Sequence, residues 1–302
     1  MKKIGIVYNG DKGKDWAINL FRKEFEKRDV QVALFDINQI DEKYSFPQEM
    51  ENISLHEIQK LIDRGFTIWM NRVYPSESQP KDIARCLNIT SWLGARNHTT
   101  INPLTATAAD YDKFLAYQLM EKYNVPTPKT KRLNLETTSE QFLDEFKFPF
   151  IVKRNTGGKS IGVIKVNSQE TFKKIYQLNA IRNDLIIQDF AHPIKPYDLR
   201  LGVVGGELLI SYGRKLLDPD GSGLWMGSVG KGSEKIFHDA TDEESRIAVL
   251  ASNSLGANLN VVDIQLTKKG PFVIENNLTP GYSPGGEKWV KVIVDHFCKK
   301  YY

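Results

Sequence analysis

At 302 residues, with 41% hydrophobic and 26% charged content, the chain has the composition of an ordinary globular protein of two or three domains, which excludes a disordered or low-complexity polypeptide. Its 41 basic side chains are interspersed among 37 acidic ones for a net charge of +4, which argues against a nucleic-acid stripe but leaves room for a local basic pocket. Two cysteines without metal or redox spacing, no apolar leader and no run of the ~18 apolar residues a membrane span needs set the expectation of a cytoplasmic protein with neither a nucleic-acid nor a membrane partner.

Residues 3–8 read as a buried strand, followed by the loop Asn9-Gly10-Asp11-Lys12-Gly13, an amphipathic helix over 15–27 marked by Trp16, Leu20 and Phe25, and a second strand over 30–35. A βαβ start of this kind predicts a parallel sheet with right-handed crossovers. Gly10 and Gly13 lack the spacing of a dinucleotide fingerprint and read as loop residues. Another strand is expected over 66–72, a helix over 80–93, and a short strand at 99–103 that closes a first domain. Strand ends in open α/β sheets face the ligand crevice, so Arg72 is a candidate for gripping an anionic substrate, with an ordinary surface arginine as the alternative. Residues 104–110 read as a small-residue connection and 111–123 as a helix stopped by Asn124-Val125-Pro126. The pattern then changes to strands over 148–153, 161–166, 185–190, 199–204 and 207–214, interrupted by a helix over 168–178. That is an α+β body built on antiparallel sheet.

Lys153 ends a strand that is otherwise apolar, and the loop after it, Arg154-Asn155-Thr156-Gly157-Gly158-Lys159-Ser160-Ile161-Gly162, lets backbone N–H groups approach phosphate oxygens. Its spacing is not that of a Walker A loop, and a plain hairpin connection is the alternative. The strand ending Gln188-Asp189-Phe190-Ala191 offers polar groups at an apolar wall, as a pocket for a flat base requires. Asp198 and Arg200 share a face of the next strand, or else form a surface ion pair.

Near the end of the chain, residues 261–266 and 272–277 flank Thr267-Lys268-Lys269-Gly270-Pro271, a hairpin signature. Folded symmetrically about Lys269, the hairpin sets Asp263 opposite Glu275, with Cβ atoms about 4.5–5.5 Å apart, and Asn277 on the same face. Two carboxylates and an amide oxygen then converge with no positive side chain among them, an oxygen-only set suited to Mg²⁺; solvated residues on an exposed hairpin are the alternative.

The order of these parts (lysine-ending strand, glycine loop, Gln-Asp-Phe-Ala strand end, Asp198-Leu199-Arg200, the basic pair Arg214-Lys215, then Asp263 with Glu275-Asn276-Asn277) resembles the ATP-grasp superfamily, and within it the RimK-like amino-acid and peptide ligases. The resemblance covers about residues 110 to 285. It implies an N-terminal open parallel α/β domain over 1–103 followed by a two-lobed ATP-grasp body with antiparallel sheets: a central lobe over 104–190 with the glycine loop and a C-terminal lobe over 191–302 with the metal site.

The resemblance also implies roles. Lys113 and Lys153 would meet the ATP phosphates, Gly157, Gly158 and Ser160 would lie in the loop that closes over them, and Gln188, Asp189, Phe190 and Ala191 would line the adenine. Asp198 would be a further nucleotide-contacting acid. Arg200 and Arg214, with Lys153, would be catalytic, facing the transferred phosphoryl group. Asp263, Glu275 and Asn277 would hold one or two Mg²⁺ ions, with Mn²⁺ as a substitute. The family pattern has an asparagine where Trp225-Met226-Gly227-Ser228 has its serine, which puts acceptor handling by Ser228 in question. Asp218-Pro219-Asp220-Gly221-Ser222-Gly223 reads as a lid. The implied activity is ATP-dependent ligation of a carboxylate to an amine through an acyl phosphate, on an amino acid, a small carboxylate or a peptide side chain. Two alternatives stay open: a peptide cross-linking ligase in which Tyr282-Ser283-Pro284-Gly285-Gly286 shapes a groove, and a non-catalytic ATP-binding scaffold. A homo-oligomer is also left open.

Overall fold

The computed structural model describes residues 2–10, 16–37, 47–76, 78–134, 136–182, 184–228, 232–282 and 286–302, with backbone alone at 47–54 and 180–182. Three sheets organise them. The first is parallel, in the order β2-β1-β3-β4. It is built from β1 (Lys2–Tyr8), β2 (Val30–Asp36), β3 (Ile68–Arg72) and β4 (Thr99–Ile101), connected by α1 (Trp16–Glu26), α2 (Pro47–Asp63) and α3 (Pro80–Ala95). Gly5 sits where an added Cβ would come 2.3 Å from the Trp69 ring, so the neighbouring strand's indole takes the space of its side chain.

The stretch 104–110, expected as a connection, is the helix α4 (Leu104–Tyr111), and a second helix, α5 (Lys113–Lys122), follows it. Small residues gave no apolar stripe to read, yet Ala106 and Ala109 are buried and let α4 approach the core closely. The expected single helix over 111–123 breaks at Asp112, whose backbone is extended and whose carboxylate accepts from the Leu115 N–H at 2.9 Å, capping α5.

The second sheet is antiparallel, in the order β5-β8-β6-β7: β5 (Thr130–Arg132), β6 (Phe150–Arg154), β7 (Ile164–Val166) and β8 (Leu185–Asp189). Phe150, Val152 and Ile187 face a core with Phe142 of α6 (Ser139–Glu145) and Phe172 of α7 (Gln169–Arg182). The third sheet runs β11-β10-β9-β12-β13, with β9 (Tyr197–Val204), β10 (Glu207–Lys215), β11 (Lys235–Ile236), β12 (Leu259–Thr267) and β13 (Gly270–Asn277). One face of it packs on α4, α5 and α8 (Asp242–Ser254) through Leu199, Leu201, Val203, Val262 and Ile264. Part of the other face, at Val204, Ile210 and Leu259, is covered by the last helix, α9 (Glu287–Tyr301), which shares that core with Ile4, Ile6 and α1 of the first sheet. The end of the chain thus closes back onto its beginning. Beyond the first turn of α9, where Trp289 stacks on Tyr212, this cover ends and the rest of the face bears the site.

Candidate active site

Between the second and third sheets lies a cleft of about 850 Å³, solvent at its mouth included. Strand alternation explains how one short strand serves both a core and a cleft. In β6, Phe150 and Val152 point to the aromatic core while Ile151 and Lys153 line the cleft. The cleft brings together thirteen of the expected residues: Lys113, Lys153, Gly157, Gly158, Ser160, Gln188, Asp189, Phe190, Ala191, Asp198, Arg214, Asp263 and Glu275.

On one side are two cations, Lys153 buried and Lys113 with 14% of its side chain exposed. Lys153 donates to the Tyr117 hydroxyl at 3.0 Å, the Gln188 amide oxygen at 3.0 Å and the Ile274 carbonyl at 3.2 Å, so its three donor positions are met by neutral acceptors. Gln188 is itself fixed by donating to Thr130 Oγ1 at 2.7 Å; its side chain holds Lys153 from the strand expected to present polar groups to a base. Lys113, at the start of α5, donates to the Gly157 carbonyl and lies 3.8 Å from Glu275. Burial pulls Lys113 below its ordinary lysine value, with the Glu275 charge opposing and the Lys153 charge adding to the pull.

The glycine loop is tied to the same helix end, where the Lys113 and Phe114 N–H groups donate to the backbone and side-chain oxygens of Asn155 at 3.1 and 2.8 Å. Those would otherwise be orphan donors of a helix N-terminus. Gly157 (φ +96°), Lys159, Ser160 and Gly162 (φ +72°) all take left-handed backbone, which turns the loop over the cleft.

On the other side, Asp263 does pair with Glu275 across the β12–β13 ladder, and Val261 with Asn277, by a different route from the one expected. The hairpin turns at Lys268-Lys269, with Thr267 opposite Gly270, and this register alone would set Asp263 against Ile274. A bulge between Asp263 and Ile264 absorbs one residue. It lets Val273 face the core while Glu275 faces the cleft, and it leaves the Ile274 carbonyl to accept from both Lys153 and Tyr117.

The expectation that no positive side chain stands among these acids is overturned. Arg214 Nη2 lies 2.8 Å from Asp263 Oδ2, and Arg200 Nη1 lies 3.4 Å from Oδ1. Paired residues across adjacent strands share a face, and Tyr212–Arg200–Asp263–Glu275 forms one such row in which sequence-distant charges meet. Asp198 is likewise no surface partner of Arg200: it is buried and accepts two bonds from Arg214, at 2.9 and 2.7 Å. Burial opposes a charge on Arg214, and Asp263 with Asp198 more than offsets it, holding the guanidinium charged.

The other expected residues stand apart from the cleft lining. Arg200 and Asn277 flank it, the latter with its Nδ2 donating to the Val261 carbonyl at 3.0 Å. Arg72 is fully buried rather than poised for a ligand, donating to Tyr74 and to the Pro280 carbonyl at 2.7 Å with its guanidinium 5.2 Å from the Phe21 ring. Ser228 is buried in a turn, its N–H donating to Ser233 Oγ at 2.7 Å. Tyr282 packs on Phe21 at the first sheet. Of the other expected features, residues 283–285 and 229–231 lie outside the described residues.

Sequence reasoning missed Tyr117, the Ile274 carbonyl, Trp225 and Met226 in the cleft wall, and Gly227. A Cβ on Gly227 would come 2.3 Å from Asp198 Oδ2, a close approach that only a folded chain reveals.

A cleft of this kind, between two antiparallel sheets and closed by a glycine loop, defines the ATP-grasp architecture, and residues 110–296 match the model of the RimK-like ATP-grasp domain. The chain belongs to that family. Among its relatives is a probable alpha-L-glutamate ligase of Xanthomonas euvesicatoria pv. vesicatoria, 29% identical over 184 residues. The match takes in 60% of this chain and spans 61% of that protein's length. The D-alanine–D-alanine ligase of Bacillus anthracis, solved with ATP, superposes with a TM-score of 0.68 at 13% identity, covering 99% of this chain and 97% of that one. The ATP-grasp ligase PsnB, solved with a variant precursor, Mg and ADP, gives 0.67 at 14% identity over 100% and 99%. At such identities the structural likeness carries the fold.

Proposed function

We propose that this chain is an ATP-dependent, ADP-forming carboxylate–amine ligase. The observation that carries the reading is the convergence, in one cleft, of the cations Lys113 and Lys153 with the carboxylates Asp263 and Glu275, beside a left-handed glycine loop. Phosphoryl transfer needs positioning and charge neutralisation more than a nucleophilic side chain, and the cleft supplies both.

In this reading a substrate carboxylate oxygen attacks the γ-phosphorus of ATP, ADP leaves, and the acyl phosphate is then attacked by an amine, with phosphate leaving and an amide formed. Lys153, held by three neutral acceptors, keeps its charge available to the phosphates, and Lys113 draws the Gly157 backbone toward them. The apolar wall of Ile151, Phe190, Trp225 and Met226 suits a base, with backbone groups at 188–191 for its polar edge. Arg214, locked by Asp198, and Arg200 stand where negative charge develops on the transferred group.

Among the described residues no three His, Cys, Asp or Glu side chains are grouped as a metal site, so the fit rests on a smaller oxygen set. Asp263 Oδ1 is buried without a hydrogen-bond partner among those residues, Glu275 keeps a third of its side chain exposed, and the Asn277 amide is oriented through its Nδ2. Two carboxylates and an amide oxygen suit Mg²⁺, with Mn²⁺ as a substitute, and leave the rest of the shell to water and phosphates. A bound Mg²⁺ would neutralise phosphate charge during transfer. Among the described residues no helix is long and apolar enough to cross a membrane.

The test is substrate-dependent phosphate release from ATP–Mg²⁺ across amino acids, small carboxylates and peptides, followed by mass spectrometry of the product. An amide product is expected. Nucleotide binding without turnover over the whole panel would reduce the protein to a scaffold.

A further inference from the structure

Behind the apolar wall of the cleft, one side chain reaches from the second sheet across to the lobe of the third. Lys165 sits on the edge strand β7, where Val166 turns into the aromatic core and Lys165 pairs with Ile151 on the cleft face. It stands outside the lining itself, and its ammonium donates to the Ser222 carbonyl and to Ser222 Oγ, both at 2.9 Å. The same Nζ lies 4.8 Å from the centre of the Phe190 ring and 5.9 Å from that of Trp225. Those two rings line the cleft and meet edge to face, with centroids 6.5 Å apart and planes 74° from parallel. His192 closes another edge of Phe190, its ring centroid 4.7 Å away.

The segment that Lys165 grasps has little packing of its own. It leaves β10 and returns through a short bridge in which Leu217 and Met226 exchange backbone bonds at 2.9 and 3.3 Å. Inside it, Asp220 Oδ1 accepts from the Ser222 N–H at 3.1 Å, from Ser222 Oγ at 2.6 Å and from the Trp225 indole N–H at 3.1 Å. The Ser222 hydroxyl first, then the indole, hold the Asp220 carboxyl below its ordinary value of 3.8, and the Lys165 charge adds to the effect. Ser222 Oγ thus passes the hold of Lys165 through Asp220 to the Trp225 ring. Among the described residues none of 218–225 belongs to a hydrophobic core, and Leu224 is half exposed. A segment with so little apolar packing opens at low cost unless something pins it.

Resting on the ligase reading above, we infer that Lys165 is a positioning residue for the base of a purine nucleotide: it pins 218–226 to the second sheet, fixes Phe190 and Trp225 as one wall, and so sets the rate of nucleotide release. A base held against these rings has one of them just past the end of β8 and the other on the pinned segment, so its departure requires the two to part. Lys165 acts through Phe190 and Trp225 and not on the reacting atoms. The labour is divided: Lys153 and the carboxylates act on the phosphates, and Lys165 governs how long the nucleotide stays.

The experiment is stopped-flow displacement of ADP, labelled on its ribose with an N-methylanthraniloyl group, from the full chain in Mg²⁺ by excess ADP, with association measured alongside. Lys165→Met keeps the stem and removes the ammonium. It should release the nucleotide about three- to tenfold faster, the size of a charged hydrogen bond close to solvent, and associate within about twofold of the wild-type rate. Lys165→Arg keeps charge and donors and should return release to near the wild-type rate, with urea midpoints equal throughout, a pattern that a merely structural role would not produce. Ser222→Ala removes one of the two acceptors and should give a smaller rise. Amide exchange over 218–226 in the ADP–Mg²⁺ complex should quicken in Lys165→Met. Unchanged release in Lys165→Met, an equal rise in Lys165→Arg, or a weakening carried by slower association overturns the latch and leaves the ligase reading in place. Failure of the wild-type chain to bind the labelled ADP overturns both. Faster release in Lys165→Met, with no amide product from any substrate, keeps the latch and counts against ligation.

Discussion

Lys153 shows how one residue's chemistry is set by groups scattered along the chain. Its ammonium is buried, yet it faces a phenol from α5, an amide from β8 and a carbonyl freed by the β13 bulge. All three acceptors are neutral, so the positive charge is unspent within the protein. Lys153→Met keeps the stem and removes the charge, and phosphate release at saturating ATP should fall by roughly 10²–10³, the scale of deleting one preorganised electrostatic stabiliser. Near-normal release would remove Lys153 from the mechanism. Gly227 makes a second test at this scale. Its Cα lies so close to Asp198 that an added Cβ meets the carboxylate at 2.3 Å, and the carboxylate cannot retreat because Arg214 holds it by two bonds. Gly227→Ala should therefore cost about 1–3 kcal/mol in urea unfolding, as overpacking does. An unchanged midpoint would mean that the 225–228 segment shifts freely away from Asp198.

At the scale of elements, α1 and α9 meet through Arg28, which lies 2.7 Å from Asp295 and 2.9 Å from Glu24. The Arg28 hydrogen bond holds Asp295 below its ordinary value of 3.8, and Lys27 first, then Arg28, hold Glu24 below 4.5. A depressed folded-state pKa means that the stabilisation is fully present above those ordinary values and is lost as pH falls through the folded ones. Asp295 is well exposed, so screening keeps the Arg28 contribution to about 0.5–1 kcal/mol. Arg28→Ala should lower the unfolding midpoint at about pH 6 and do so much less at about pH 3, where the carboxylates are becoming protonated. An equal loss at both pH values would assign the effect to packing of the arginine stem.

The bulge in β13 is the second device at this scale. Deleting Ile274 leaves Val273 and Glu275 as consecutive residues that still alternate between core and cleft, while the carbonyl serving Lys153 and Tyr117 disappears. The variant should fold and bind ATP about tenfold more weakly, the equivalent of one lost hydrogen bond to a charged group. Wild-type ATP affinity in a folded deletion variant would show that the carbonyl contributes nothing to placing Lys153.

For the whole molecule, the cleft joins two sheets from different parts of the chain, so whatever bridges it stabilises the fold by linkage. ATP with Mg²⁺ at ~100 times its dissociation constant adds about 2.7 kcal/mol. Glu275→Gln is the cleaner metal test, because Glu275 is partly exposed with Lys113 3.8 Å away, whereas Asp263→Asn would strip a buried partner from Arg214. Glu275→Gln should leave the Tm without ligand near wild type and abolish most of the Mg²⁺-dependent part of the nucleotide-induced rise. A full Mg²⁺-dependent rise in the variant would displace Glu275 from the metal site.

The sequence by itself determined the parts whose cause is local. Period-two and period-3.6 patterns gave the βαβ start and most strands, turn chemistry placed the Asp263–Glu275 hairpin, and the glycine run after Lys153 marked a loop built for close approach. Helix α4 escaped because small residues carry no amphipathic stripe, and the break before α5 depends on which N–H the Asp112 carboxylate reaches. Only the tertiary structure decided that Arg214 and Arg200 stand beside Asp263, that Gln188 holds Lys153, that Arg72 is buried rather than open to ligand, and that α9 returns to the first sheet. Each of these depends on strand order or on contact across dozens of residues. A one-dimensional pattern records the spacing of neighbours along the chain and carries no information about which distant charges the folded sheet sets face to face.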